Sequence, residues 1–273
     1  MEGPCVVVSP RSLAIELALE AGRLLRERLG HVQAIRYKGE INLVTDVDLA
    51  SERLILHRIR EEFPEHAILS EEQPASTEVL RAPYTWVVDP LDGTTNFAHG
   101  YPMFAVSIAW LCEGEPYIGV VYQPMLDELF VAERGHGAYL NGQRLYVSTE
   151  HVLRRSLLAT GFPYDAERRR QAVRDFVHFI DVARAIRRDG TAAIDLCYVA
   201  AGRFDGFWER ELSPWDTAAG VLLVREAGGM VTNEAGEPYR LGDLVCVASN
   251  GQIHQEMLAV LAAAQHQQDP HDD

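Results

Sequence analysis

The chain has 273 residues, 40 of them acidic against 25 basic, and a formal net charge of −15. Apolar residues make up 47% and charged residues 24%, the composition of a globular protein with material for a large core. No apolar run approaches the ~18 residues of a membrane span, and the charge disfavours nucleic acid and anionic lipid as partners. The first residues lack the basic flank and apolar stretch of a signal peptide, so a cytoplasmic location is expected. The cysteines at 5, 112, 197 and 246 form no CxxC pair and read as free thiols.

Ser9-Pro10 is an N-cap followed by proline at the first helical position. Leu13, Leu17, Ala21, Leu24 and Leu25 follow at helical spacing up to Gly30. A second helix is expected from about 48 to 63, ended by Pro64. Residues 67–69 read as a short buried strand that delivers Ser70-Glu71-Glu72, and 84–88 as another that delivers Asp89. From Phe104 to about Val147, β-rich runs alternate with turn signals, which predicts an antiparallel meander with a type I′ turn at Asn141-Gly142. After that, strand and helix alternate. Strands are expected at 157–160, 204–208 and 245–248, and helices at about 165–180, 191–201, 213–227 and 253–264. The run Arg168-Arg169-Arg170 is expected on a solvated helix face. The pattern predicts a layered α+β or α/β sandwich with halves at 1–148 and 149–265 and a frayed polar tail at 266–273.

Three segments combine carboxylates with backbone geometry that core packing does not require. The strongest is Asp89-Pro90-Leu91-Asp92-Gly93-Thr94-Thr95-Asn96. An apolar strand ends in an aspartate, and Pro90 turns the chain out of the sheet. The Asp89 and Asp92 carboxylates and the Leu91 carbonyl can then converge on one hard cation. Gly93 lets backbone approach a ligand, and residues 94–96 can open a helical turn whose N–H groups suit a phosphate. The second segment is Glu71-Glu72, where one acid can enter a site while the other faces solvent. The third is Ser213-Pro214-Trp215-Asp216, a good helix start in which Asp216 either complements the dipole or supplies a fourth carboxylate. Lys38, Thr45, Asp46 and Asp48 form a weaker group. Asp46-Val47-Asp48 lacks the buried strand that a DxD phosphatase nucleophile needs.

Together these segments resemble the inositol monophosphatase family. The likeness lies in Asp48, Glu71-Glu72, the octet 89–96, Trp215-Asp216 and the Glu226-Ala227-Gly228-Gly229 stretch, and spans roughly residues 10 to 265. The stretch from Gly190-Thr191-Ala192-Ala193 to Glu209 is similar to bacterial members. The resemblance implies an α-β-α-β-α sandwich, a homodimer, lithium sensitivity and two to three Mg²⁺ ions. It assigns Glu71, Asp89 and the Leu91 carbonyl to a first ion, Asp89, Asp92 and Asp216 to a second, and Glu71 with waters to a weaker third. It implies that Asp48 and Thr94 touch the nucleophilic water, that the Gly93 and Thr94 amides bind phosphate, and that Lys38 stands near the metal entry. Ala192, Glu209 and Arg187 match substrate positions. One departure concerns the ring contacts: animal-type members carry histidine and cysteine where this chain has Ser213 and Pro214.

The implied reaction is hydrolysis of inositol 1-phosphate or a related polyol phosphate by metal-activated water, with no side-chain nucleophile. The same scaffold admits fructose-1,6-bisphosphatase, histidinol-phosphate phosphatase or 3′-phosphoadenosine phosphatase activity. A non-enzymatic binding or regulatory protein is the reading from another class; the complete acid set speaks against it. Glu209 is expected just past the end of its strand, reaching sugar hydroxyls, with a solvated pair to Arg210 as the alternative.

Overall fold

Helix α1 (Pro10–Arg28) starts where Ser9 caps it, with Ser9 and Ser12 closing a reciprocal box. In the computed structural model, which describes residues 8–31, 35–37, 43–73 and 76–266, a two-stranded ribbon of β1 (Ile35–Tyr37) and β2 (Leu43–Thr45) follows. Helix α2 (Asp46–Glu62) begins two residues earlier than expected. The cause is local: Thr45 caps the helix, and Asp48 reaches back to the Thr45 N–H.

A seven-stranded sheet holds β3 (Ala67–Ser70), β4 (Tyr84–Asp92), β5 (Ala105–Cys112), β6 (Glu115–Gln123), β7 (Glu128–Glu133), β8 (Gly137–Leu140) and β9 (Gln143–Arg144), in that order. Only β3 and β4 run parallel; from β4 onward the sheet is the expected antiparallel meander. Its last hairpin turns at Asn141 and Gly142, with φ of 48° and 81°, the left-handed pair of a type I′ turn. The short helix α3 (Thr94–Ala98) leaves the end of β4.

The second half supplies β10 (Leu157–Thr160), α4 (Ala166–Val182), β11 (Ala185–Arg187), α5 (Ala192–Ala200), β12 (Gly206–Arg210), α6 (Pro214–Glu226), β13 (Met230–Thr232), β14 (Val245–Ser249) and α7 (His254–His266). Its five-stranded sheet has the order β11-β10-β12-β14-β13. Helix α7 extends to His266, the first residue of the expected tail; the rest of that tail, 267–273, lies outside the described residues, as do Cys5 and Lys38. Cys112, Cys197 and Cys246 are free thiols.

Three apolar clusters define the layers. One face of the seven-stranded sheet, with Trp86, Val88, Ile108 and Val120, packs on α1 and α2. The opposite face, with Val87, Ala109, Val121 and Phe130, meets α5 and α6, which also meet Phe207, Cys246 and Ala248 of the second sheet. The far face of that sheet, with Trp208, Val245 and Val247, packs on Phe179 of α4 and Met257 and Leu261 of α7. The architecture is therefore α-β-α-β-α. All nine residues of α5 are buried, because a middle-layer helix has sheet on both sides and needs no polar stripe.

Strand β12 differs from the sequence expectation. It covers 206–210, and its ladder with β14 runs from Gly206 opposite Ser249 to Arg210 opposite Val245. Glu209 therefore lies inside the strand rather than beyond its end. Alternation turns Phe207 and Glu209 to the middle layer, and Trp208 and Arg210 to the outer one. Arg210 accordingly pairs with Asp175 of α4, not with Glu209.

Candidate active site

Parallel pairing of β3 and β4 brings two acidic segments to one sheet edge. Ser70 lies opposite Val88, and the Glu71 N–H donates to the Val88 carbonyl at 3.2 Å, so Glu71 emerges beside Asp89. A bulge between Asp89 and Asp92 inserts one extra residue against β5. It re-aims the strand end, and the Leu91 N–H donates to Asp89 Oδ1 at 3.0 Å. Gly93 has φ of 91° and no side chain, where a Cβ would run into Thr191 and the Met103 carbonyl. It is also the N-cap of α3, so that helix begins without a capping side chain.

The second half closes on this edge. The Ala193 N–H, in the first turn of α5, donates to Asp92 Oδ2 at 2.8 Å. Asn96 Nδ2 donates to the Met103 and Asp189 carbonyls, each at 2.7 Å, and stitches the octet to the loop before α5. Asp216 sits in the first turn of α6, where its Oδ2 accepts from the Ser213 N–H at 2.7 Å. Its capping role and its place on the cleft coexist, because the cap engages a single oxygen.

The result is a cleft of about 360 Å³. Glu71, Asp89, Leu91, Asp92, Gly93, Thr94, Ala192, Glu209 and Asp216 all line it. Desolvation, then the charges of Glu71, Asp92 and Asp216, hold the Asp89 carboxyl well above its usual range. Desolvation pushes Asp92 up to about 8; the Ala193 N–H opposes this, and the charges of Glu209 and Glu71 add to it. Asp216 is raised by desolvation and then by Asp92 and Glu71. Glu209 is pushed up to about 8 by desolvation and then by Asp216, with Arg188 opposing. Such mutual repulsion is relieved by proton uptake or by a cation. Among the described residues no three acid, histidine or cysteine side chains form a ready-made metal cage. The donor chemistry fits Mg²⁺ nonetheless: every candidate ligand is a hard oxygen, one is a backbone carbonyl, and Mg²⁺ keeps several waters.

Asp48 is fully buried and stands behind the cleft wall. Thr94 Oγ1 lies within donating distance of Asp48 Oδ1, at 2.8 Å, and of the Leu91 carbonyl, at 3.1 Å. Asp48 also accepts from the N–H and the hydroxyl of Thr45. Desolvation raises its pKa, and the Thr45 and Thr94 bonds moderate the rise.

Arg187 does not join the group. It ends the edge strand β11, is exposed, and turns its guanidinium to the Ile186 carbonyl at 3.3 Å. The cleft is lined instead by Arg188, whose charge acts on Glu209. The choice within Arg187-Arg188 depends on where a three-residue strand ends, which the sequence does not mark. Gly161 is a second residue of the site with no signal in the sequence: a side chain there would collide with the Glu209 carboxylate. Within the run 168–170, Arg168 and Arg170 are exposed as expected, and Arg168 pairs with Glu211 at 2.8 Å; Arg169 is half-buried and donates to the Pro163 and Tyr164 carbonyls.

The inositol monophosphatase family model matches residues 9–269. The chain is 46% identical over 253 residues to the inositol-1-monophosphatase of Synechocystis sp., across 92% of this chain and 88% of that protein. It is 45% identical over 255 residues to the Nus factor SuhB of Escherichia coli (strain K12), across 91% of this chain and 94% of that protein. The crystal structure of extragenic suppressor protein suhB from Bartonella henselae superposes with a TM-score of 0.86 at 40% identity, covering 91% of this chain and 96% of that one.

Proposed function

Because the chain belongs to the inositol monophosphatase family, a family of phosphatases, we propose that it is a magnesium-dependent phosphomonoesterase acting on inositol 1-phosphate or a related polyol phosphate. The observation that carries this reading is the convergence of Glu71, Asp89, Asp92 and Asp216, from three separate segments of the chain, on the cleft that Thr94 also lines. Glu71, Asp89, Asp92, Asp216 and the Leu91 carbonyl would hold the ions. Bound Mg²⁺ supplies positive charge that acidifies water and offsets charge on the phosphoryl and leaving oxygens.

The chain's own groups do the rest. Thr94 Oγ1 is both donor and acceptor, and it is backed by Asp48 at 2.8 Å. It would accept a hydrogen bond from the attacking water while its own proton stays directed at the Asp48 carboxylate, fixing the line of attack. Burial of Asp48 against Thr45 keeps that carboxylate from swinging out. Gly93 allows the backbone at the start of α3 to approach the phosphate oxygens without a clash. Arg188 and Glu209 stand on the cleft wall where the polyol would lie. Glu209 would accept from ring hydroxyls, and Arg188 would oppose the substrate's negative charge.

Turnover of p-nitrophenyl phosphate and inositol 1-phosphate with added Mg²⁺, and its loss in excess chelator, tests the reading. Robust hydrolysis in chelator overturns the metal assignment. A panel including fructose 1,6-bisphosphate, histidinol phosphate and 3′-phosphoadenosine phosphate tests the substrate class, and a rate on one of these that exceeds the polyol phosphates overturns it.

A further inference from the structure

Helix α2 presents Asp48, Ser51 and Glu52 on one face, at the i, i+3, i+4 spacing that places side chains together, and all three are buried. Between them they engage two segments of the cleft edge. Asp48 accepts from Thr94 Oγ1. Ser51 Oγ donates to the Pro90 carbonyl at 2.8 Å. Glu52 accepts from Ser70 Oγ at 2.5 Å on Oε1 and from Gln73 Nε2 at 2.8 Å on Oε2. The first two contacts go to the octet itself. The third goes to the chain on either side of Glu71-Glu72.

A carboxylate only 2% exposed, held by two neutral donors, is an expensive way to fill space among Ile55, Leu56 and Ile59. Its geometry has a specific use. Ser70 and Gln73 bracket a tight turn, in which the Gln73 N–H donates to the Ser70 carbonyl at 3.3 Å. A planar group with two acceptors can pin both ends of that turn at once. The turn is the mount of Glu71: its N–H is tied to Val88 on β4, and its side chain lines the cleft beside Asp89.

We propose that Glu52 is a positioning residue for Glu71, gripping Ser70 and Gln73 so that the Glu71 carboxylate is presented to the same ion as Asp89. The proposal rests on the magnesium reading above. Glu52 reaches the ion only through the turn, so the length of its side chain matters more than its charge. Glutamine at 52 keeps the reach and can still bond both partners, because the Ser70 hydroxyl can turn round and accept. Aspartate at 52 keeps the charge but is one methylene short.

The test titrates Mg²⁺ into the full-length protein by calorimetry and follows melting with and without the ion. Glu52→Asp is expected to weaken Mg²⁺ binding about tenfold, in the range seen when a ligand's supporting partner is lost. Glu52→Gln is expected to weaken it by less than about threefold, the scale of one neutral hydrogen bond. The Mg²⁺ concentration for half-maximal activity should follow the same ranking, with kcat at saturating Mg²⁺ moving far less. Should Glu52→Asp fail to fold, Gln73→Ala at an exposed position removes one grip and is expected to shift affinity in the same direction. The reversed ranking, with Gln weak and Asp normal, overturns the proposal by making Glu52 an electrostatic group. A lowered melting point with unchanged Mg²⁺ affinity overturns it as well. Wild-type protein that takes up no Mg²⁺ overturns the metal reading and this proposal with it; normal uptake by wild type and Glu52→Asp alike overturns the proposal alone.

Discussion

Two regions of this molecule bury acids on opposite terms. Between the second sheet and α4, Asp175 is fully buried, and Arg210 meets it with contacts of 2.5 and 3.2 Å. Nearby in the same half, buried His254 sits between Thr232 and Ser249, with both ring nitrogens in hydrogen bonds of 2.8 Å. In the cleft, Asp89, Asp92 and Asp216 face one another and Glu71, and the charges acting on them are of their own sign. Backbone N–H groups are what moderate them. A buried group that serves the fold is matched within the chain. A group that serves a ligand is left with a deficit that the ligand makes good.

The sharpest break of this comparison is to neutralise one acid in the cleft. Asp92→Asn and Asp216→Asn are each expected to lower turnover at least about a thousandfold, roughly 4 kcal/mol in barrier. The size and the backbone-bonded acceptor are retained, so the fold should survive. The metal-free variants should melt higher than metal-free wild type, because the folded state no longer has to take up a proton or bear a repelling charge at that position. A variant that keeps more than about a tenth of the rate, a loss under ~1.4 kcal/mol, shows that its residue is not a ligand.

Asp175→Ala should show the opposite profile. It leaves Arg210 buried without its partner and should cost about 3 kcal/mol of stability, measured by denaturant titration. Mg²⁺ affinity should stay at the wild-type value. If affinity moves with stability, the two regions are not separable.

The pH dependence of stability carries both signs. Burial lowers His254 to about 4. Between the unfolded value near 6.5 and that folded value, the unfolded chain binds the extra proton, so this contribution is fully present above about pH 6.5 and is lost as pH falls; its ceiling is about 3 kcal/mol. Glu209 is raised to about 8, so its contribution is present below about pH 4.5 and is lost as pH rises to about 8. Denaturation of metal-free protein across pH 4.5 to 8 should therefore show opposed slopes that variants separate. His254→Gln should remove the loss on the acid side, and Glu209→Gln should shrink the loss on the alkaline side, which Asp89, Asp92 and Asp216 share. A profile that neither variant changes would sink both assignments.

What could be read from the sequence follows the same division. The octet at 89–96 was readable because an apolar strand running into Asp-Pro and then Asp-Gly has few uses in a core. Asn141-Gly142 was readable because a type I′ turn admits few residue pairs. The end of β12 was not, since Glu209 and Arg210 look like the polar residues after a strand, and only the layer on each side makes them strand residues. Three-residue strands such as β11 are too short to show a period, so nothing in the sequence itself distinguishes Arg187, which the family resemblance names, from Arg188, which lines the cleft. Ser51 and Glu52 carry no signal of their own in the sequence, because a polar helix face turned onto strand ends has the same pattern as one turned to water.

The smallest expected effect separates recognition from chemistry within the cleft itself. Glu209 lies inside β12 with its carboxylate over Gly161, so a rigid element holds it and Gly161 provides the room. It lines the cleft beside Asp216, yet the ligand set does not require it. Glu209→Gln keeps the shape and one acceptor, and removes the charge that raises Asp92. If the side chain accepts from ring hydroxyls, KM for inositol 1-phosphate should rise about tenfold, the lower end of what a hydrogen bond to a charged group contributes. p-Nitrophenyl phosphate presents no such hydroxyls, so kcat/KM for that substrate should move less than about twofold, under ~0.5 kcal/mol. Gly161→Ala, which displaces the carboxylate without altering its charge, should reproduce the inositol 1-phosphate defect. An equal fall on both substrates in Glu209→Gln would place Glu209 with the acids that hold the ions, and the line between recognition and chemistry would have to be drawn on the far side of β12.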